Sequence, residues 1–400
     1  MIATGDAVLV INAGSSSIKF ELFDAQQVPG ALYAGQVEGI GAAPRFSAKD
    51  AAGARLADQR WSEGGAPGDH GAALRVIIGW LAGVLAGRRI AAIGHRVVHG
   101  GPDLAAPVLV DATVMERLGA LASLAPLHQP HNLAGIAAAA EHFPGVPQVA
   151  CFDTAFHRAH AWEADTYALP PEFYARGIRR YGFHGLSYEY IARSLAQTDP
   201  ALAAGRVVVA HLGNGASLCA MHDGRSIDST MGFTALDGVP MGTRSGQIDP
   251  GVLLHLMASD GMDTTAVQKL LYGNAGLKGM SGISQDVRDL EASADPRAAA
   301  ALSHFCWRVR REVGALAAAL GGIDALVFTA GIGENAASIR ARICAGLGFL
   351  GIEVDPALND ANAPDISAPG ATTRVLVRAT DEEGMIARHV LALLQRSEKA

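Results

Sequence analysis

The sequence predicts an α/β protein of two lobes, each opening with a β-hairpin that turns through a run of small residues. Three observations carry this. A chain of 400 residues exceeds what one hydrophobic core usually serves. The segments VLVINAGSSSIKFELFD and RVVVAHLGNGASLCAMHDG, one in each half, share the order strand, glycine-containing turn, strand. Around them, strand-like runs alternate with stretches of helical period. A ligand-binding cleft between the lobes is the expectation.

Taken in order, residues 7–12 are a continuous β-type run, 13–16 supply the tight turn, and 17–23 alternate with period two. Helical periodicity covers 72–85 and 113–124, and strand-like runs cover 90–98 and 146–152. The second hairpin starts at Arg206 and ends at Asp223-Gly224. Residues 297–320 read as one long helix and 324–329 as a buried strand that runs into GIGEN and another helix. A strand at 374–378 and a helix at 382–394 close the chain. The likeness of the hairpins has two readings, duplication or the similarity that any two hairpins share. One copy in each half favours duplication.

Composition excludes several classes. Half the residues are hydrophobic and 18% are charged, which suits a filled interior without a long disordered tail. A formal charge of −7 argues against a nucleic-acid surface. Cys151, Cys219, Cys306 and Cys344 form no C-x-x-C pair, so they read as small buried hydrophobes rather than a disulfide framework or zinc ribbon. The apolar run 7–23 is broken by Asn12, Lys19 and Glu21 and lacks a basic leader. No other segment is apolar for long enough to span a bilayer. A cytoplasmic protein with neither membrane nor nucleic acid as partner is expected.

The motifs point to an anionic ligand. No G-x-x-x-x-G-K-[ST] loop occurs. Residues 12–17 (NAGSSS) instead combine exposed backbone donors and hydroxyls with Lys19 on the following strand, which suits a polyphosphate; a plain serine-rich turn is the alternative. His211, Leu212, Gly213, Asn214 and Gly215 repeat the offer in the second half. Gly331, Ile332, Gly333, Glu334, Asn335 and Ala336 satisfy a loose G-x-G-x-x-A fingerprint, so a nicotinamide-dependent dehydrogenase competes, although little chain remains to complete its domain. Arg96 (GHRVVHGG) and Arg244 (MGTRSG) sit in glycine-rich surroundings, where each serves either as a fork for an anion or as a loop brace. His184 stands in a tight aromatic turn and Asp153 at a strand end. His157 with His160, and His128 with His131, are spaced for shared ligation, but no third ligand accompanies them and zinc is not favoured.

Together VLVINAGSSSIKF, GHRVVHGG, LAPLH, CFDTAFH, YGFHGLSYEYI, HLGNGASL, MGTRSGQIDPG, SGISQDVRDL, FTAGIGEN and ATDEEGMIA, in order from residue 8 to about 387, resemble the acetate kinase family. The resemblance implies the duplicated ribonuclease H-like fold shared with actin and hexokinase, a homodimer, and reversible Mg²⁺-dependent conversion of acetate and ATP to acetyl phosphate and ADP. Mn²⁺ is expected to substitute for Mg²⁺. It implies lobes of residues 1–156, with a closing helix of about 388–400 packed on them, and 157–387, the latter binding nucleotide.

Carried over residue by residue, the family pattern assigns Asn12 and Glu382 to the metal, with Glu383 an alternative to Glu382. Lys19, Ser15 and Ser17 become phosphate contacts, and Arg96 the clamp on the acetate carboxylate. Asp153 becomes the acid-base or orienting residue, and His184 and Arg244 the groups that stabilise the transferring phosphoryl. Residues 211–215, Asp286, Val287 and Arg288, and 331–335 become the ATP site. Val98, Leu127, Phe183 and Ala235 line the methyl pocket. Ala235 departs from a common proline, and Gln129 and His131 are further departures, so propionate is an expected secondary substrate. An ATP-binding regulator without activity would not need Arg96, Asp153, His184 and Arg244 together.

Overall fold

A run buried on both faces, followed by period-two alternation, folds as an antiparallel hairpin of β1 (Ala7–Ala13) and β2 (Ser17–Asp24), paired from Ala7↔Asp24 to Ala13↔Ile18. A computed structural model of the chain describes residues 5–14, 17–26, 28–61, 65–85, 87–126 and 128–397, so the expected site residues Ser15, Ser16 and Leu127 lie outside the described residues. Strands β3 (Ala31–Glu38), β4 (Arg45–Asp50) and β5 (Arg55–Arg60) continue the hairpin antiparallel. On the other side of β1 lie parallel β6 (Ile90–Val97) and, beyond it, β8 (Gln148–Phe152), with β7 (Val108–Leu109) antiparallel at the edge.

The second sheet comprises β9 (Arg206–Leu212), β10 (Ala216–His222), β11 (Arg225–Ser229), β12 (Ala325–Thr329) and β13 (Arg374–Val377). Its order is β11-β10-β9-β12-β13, and the first sheet contains β3-β2-β1-β6-β8. In both, the first three strands are antiparallel and the last two run parallel to the first. One topology appears twice, the duplicated ribonuclease H-like α/β fold. Antiparallel β9 and β10 are incompatible with the all-parallel doubly wound sheet of a nicotinamide dehydrogenase.

Two compact units result, Met1–Ala155 with Asp381–Ala400, and Phe156–Thr380. The sequence drew the last crossing at about 387; by contact density it comes at Thr380, because Met385, Ile386 and Val390 of the helix Glu382–Ser397 are buried and the first two turns already belong to the first unit. Ile386 and Val390 lie against Gly94 of β6. In the first unit the helix His70–Val84, capped by Asp69 accepting from Ala72 N, buries Leu74, Ile77 and Leu81 at helical spacing with Leu9, Ile11 and Phe20. In the second, the helix Pro296–Leu320 buries Leu302, Phe305, Val309, Val313 and Leu316 and ends at Gly321 with φ 69°. Each fully buried aliphatic side chain contributes about 1.5–3 kcal/mol. Among the described residues no helix is long and apolar enough to cross a membrane.

Candidate functional site

In the first unit the carboxyl ends of β1, β6 and β8 bring Asn12, Arg96 and Asp153 together, the edge at which open α/β sheets bind ligands. Asp153, 1% exposed, accepts from Arg96 Nε at 3.0 Å and Nη2 at 2.7 Å. Its backbone N–H donates to Val97 O. One edge of the guanidinium is therefore taken by a protein carboxylate, and Nη1 makes a 3.4 Å approach to Asn12 Oδ1. Glu382 Oε2 stands 3.7 Å from Arg96 Nε. Burial works against the charge of Arg96, but Asp153 and then Glu382 outweigh it and hold the group above its ordinary pKa. Glu382 is pushed up to about 7 by burial; Arg96 pulls it back and Asp153 adds repulsion.

Asn12 Nδ2 donates to Glu383 Oε1 at 3.2 Å. Glu383 also stands with Glu21 and Asp381, one carboxylate oxygen of each within 4.8 Å of the others. Burial and then Asp381 raise Glu21 to about 7. Lys19 faces Asn12 in the hairpin register and lines, with Glu21 and Glu383, a cavity of about 520 Å³. Such a set of carboxylate and amide oxygens fits a hard divalent cation. Val98 is buried, its N–H held by Asn132 Oδ1, while Asn132 Nδ2 donates to Ala13 O. Asn132 thus ties the end of β1 to the end of β6, a role no motif announced. Ser17 O accepts from Gly14 N across the hairpin turn.

In the second unit His184 adopts φ 57° at the start of the helix Gly185–Thr198 and stacks on His211, ring centroids 4.2 Å apart. Its Nδ1 lies 2.8 Å from Ser217 Oγ, which also meets Tyr188 OH at 2.6 Å. His211 Nδ1 lies 2.9 Å from Ser187 Oγ, and Ser187 accepts from Thr380 Oγ1. Arg244 Nη1 donates to Ala235 O at 2.6 Å, and a side chain on Gly215 would come within 2.6 Å of Arg244 Nη2 and 3.2 Å of His184 Nε2. His184, His211, Gly215 and Arg244 therefore converge. Phe183 is buried beside them in sequence and Ala235 half-buried.

A cavity of about 450 Å³ in the same unit is lined by Gly213, Asn214, Asp286, Val287, Arg288, Gly331, Ile332 and Asn335, and also by Gln285, Glu291 and Ala336. Leu212 and Gly333 are buried behind it, and Glu334 Oε1 accepts from Thr380 N. Asp286 caps its short helix and forks Arg288 at 2.6 Å and 3.0 Å. Arg340 is fully buried and donates to the carbonyls of Gly333 and Glu334 and to Asn359, which braces the segment that brings Gly331, Ile332 and Asn335 to the cavity. Nothing in its sequence surroundings marked it.

Among the described residues neither histidine pair has a third His, Cys, Asp or Glu ligand atom grouped with it. Among the described residues the one group of His, Cys, Asp or Glu close enough to hold an ion is Glu21, Asp381 and Glu383. His131 stacks on His70, whose Nε2 meets Gly14 O. Burial lowers His157 to about 4 and His160 to about 2. A lowered histidine pKa costs stability only below the unfolded value of 6.5, growing by about 1.4 kcal/mol per pH unit per group toward the folded value. The His157 ring signals are accordingly expected to stay still in ¹⁵N-edited spectra between about pH 8 and 5; a midpoint near 6.5 would show a solvated ring.

Comparison with known proteins finds the same fold in solved structures. The crystal structure of a Francisella tularensis propionate kinase superimposes with a TM-score of 0.90 at 37% identity, covering 96% of this chain and 98% of that one. The Porphyromonas gingivalis acetate kinase gives 0.87 at 35%, covering 97% and 100%. Fold and polar clusters thus define a phosphotransferase of the carboxylate-kinase class. The profile of the acetokinase family matches residues 7–388, and an acetate kinase of Nitrobacter hamburgensis is 55% identical over 393 residues, 97% of this chain and 96% of the other. The chain belongs to the acetokinase family.

Proposed function

We propose that this chain is an acetate kinase, transferring the γ-phosphoryl group of ATP to acetate to give acetyl phosphate and ADP, with propionate as a secondary substrate. The observation that supports it most is Arg96: Asp153 holds the Nε–Nη2 edge and Asn12 Oδ1 meets one Nη1 proton at 3.4 Å, which leaves the Nη1–Nη2 edge for an external carboxylate. Asp153 then acts by orienting Arg96 rather than as a base, since acetate is ionised at neutral pH and no proton has to leave. Val98 with Leu127, Phe183 and Ala235 receives the methyl group. An acetate oxygen attacks the γ-phosphorus, the bond to the β-bridging oxygen breaks, and ADP takes the electron pair. His184 and Arg244 meet the charge on the phosphoryl oxygens. Lys19, Ser15 and Ser17 contact phosphate, while the second-unit cavity and residues 211–215 take the rest of the nucleotide.

Mg²⁺ suits the oxygen-rich donors around Asn12, and Asn12 with Glu382 would hold it; when bound it neutralises phosphate charge. Mn²⁺ serves in its place. The same reading makes the protein a cytoplasmic homodimer. The test is ATP-dependent acyl hydroxamate formation across formate, acetate, propionate and butyrate; absence of product from every acid sinks the proposal. Asn12→Ala and Glu382→Ala are each expected to raise the Mg²⁺ concentration for half-maximal rate by about tenfold or more, the cost of losing one ligand or its support. If Glu383→Ala shifts the curve and Glu382→Ala does not, the neighbouring glutamate is the ligand.

A further inference from the structure

We propose that His157 is a positioning residue for His184, acting through the Phe183 carbonyl; this rests on the reading of His184 as a phosphoryl-stabilising group. His157 is fully buried, with Nε2 3.0 Å from Phe183 O and Nδ1 2.7 Å from Ser226 Oγ. A carbonyl only accepts, so Nε2 carries the proton and Nδ1 accepts from the Ser226 hydroxyl. Ser226 Oγ is then free to accept from His160 Nε2 at 2.7 Å. That leaves His160 Nδ1 as the unprotonated nitrogen, and it is buried without a partner. Every proton in the chain His160, Ser226, His157, Phe183 has one consistent place. Burial keeps both rings neutral, as the chain requires.

The end of this chain is the peptide that sets the backbone of His184, a non-glycine residue at φ 57°, a left-handed conformation that needs outside support. The preceding turn is pinned by the same ring. Gly182 has φ 72°, and a side chain there would come within 2.6 Å of the His157 ring. Arg158 Nη2 donates to the carbonyls of Arg180 and Tyr181, fixing the other end. His157 also packs edge-on against Tyr188 at 5.6 Å, and Tyr188 shares Ser217 with His184. Ring, turn and serine together define the direction of His184 Nε2.

His157→Phe keeps the ring volume and removes the donor. We expect kcat to fall by about 10²-fold with both KM values nearly unchanged, the effect of misplacing a group by about 1 Å. His157→Gln, whose amide N–H takes the place of Nε2–H, should recover most of that loss. Ser226→Ala deletes only a hydroxyl, releases the tautomer, and should lower kcat in the same direction; it carries the test if His157→Phe does not fold. In a His184→Ala background, His157→Phe should cost nothing further. Wild-type kcat in both His157→Phe and Ser226→Ala, or a full additional loss in the His184→Ala background, overturns the positioning role alone. A wild-type kcat in His184→Ala itself removes the role of His184 and this proposal with it.

Discussion

Arg244→Ala is expected to lower kcat by about 10³-fold while both KM values stay close to wild type. A guanidinium placed on a transferring phosphoryl group is worth about 10³–10⁵ in rate, and the lower end applies because His184 remains in the proposed site. The geometry gives Arg244 one anchored edge, Nη1 on Ala235 O, and brings Nη2 toward Gly215 and His184. Part of the competing role, bracing the loop, is carried by its backbone: Arg244 O accepts from Met241 N, and this bond survives truncation of the side chain. Melting temperature should therefore change little, and added guanidine should restore part of the rate. An early-melting variant that binds both substrates poorly would make Arg244 a brace instead.

Arg96→Ala is expected to act in two ways. Loss of a charged hydrogen-bonding partner, worth about 1.5–3 kcal/mol, should raise KM for acetate by roughly 10–10²-fold and leave ATP affinity nearly intact. The variant also strands Asp153 and Glu382, both largely withdrawn from water, beside Asn12. Breaking a buried ion pair from one side costs about 3–5 kcal/mol, so stability should drop measurably in urea. Arg96→Lys should recover the charge and part of the stability but little of the acetate affinity, since one ammonium cannot hold Asp153 and an external carboxylate in two parallel forks. Equal loss of ATP and acetate binding would remove the clamp assignment.

Which parts of the molecule the sequence reveals follows from where each segment lies. Strands β1, β2, β9, β10 and β12 are buried on at least one face, so their apolar pattern is continuous or alternating and legible. Strand β5 is almost wholly exposed (RLADQR) and β3 carries one fully buried residue, so neither has a period to read, and both escaped notice. They form because β2 and β4 each offer an edge to pair with, a condition visible only in the folded sheet. The residues of the proposed site stand out in the sequence as types in motifs. Their partners do not: Asn132, Ser217 and Ser226 work through contacts 33 to 69 residues away, Arg340 through one 7 residues away, and no motif gave them a role.

By itself the sequence determined two α/β halves with matching hairpins, the glycine-rich turns, and the identity of the charged residues that the family pattern uses, because hydrophobic period and turn chemistry are local properties. Only the tertiary structure decided which carboxylate receives the Arg96 fork, that Glu382 faces Arg96 while Glu383 faces Asn12 and Glu21, and that His157 and His160 share a serine instead of a metal. Those outcomes depend on strand ends at residues 12, 96 and 153 meeting a helix start at 382, and on a turn at 157 meeting a strand at 226. Electrostatic pairing and proton placement are set by distance and burial, and a linear order of residues carries neither.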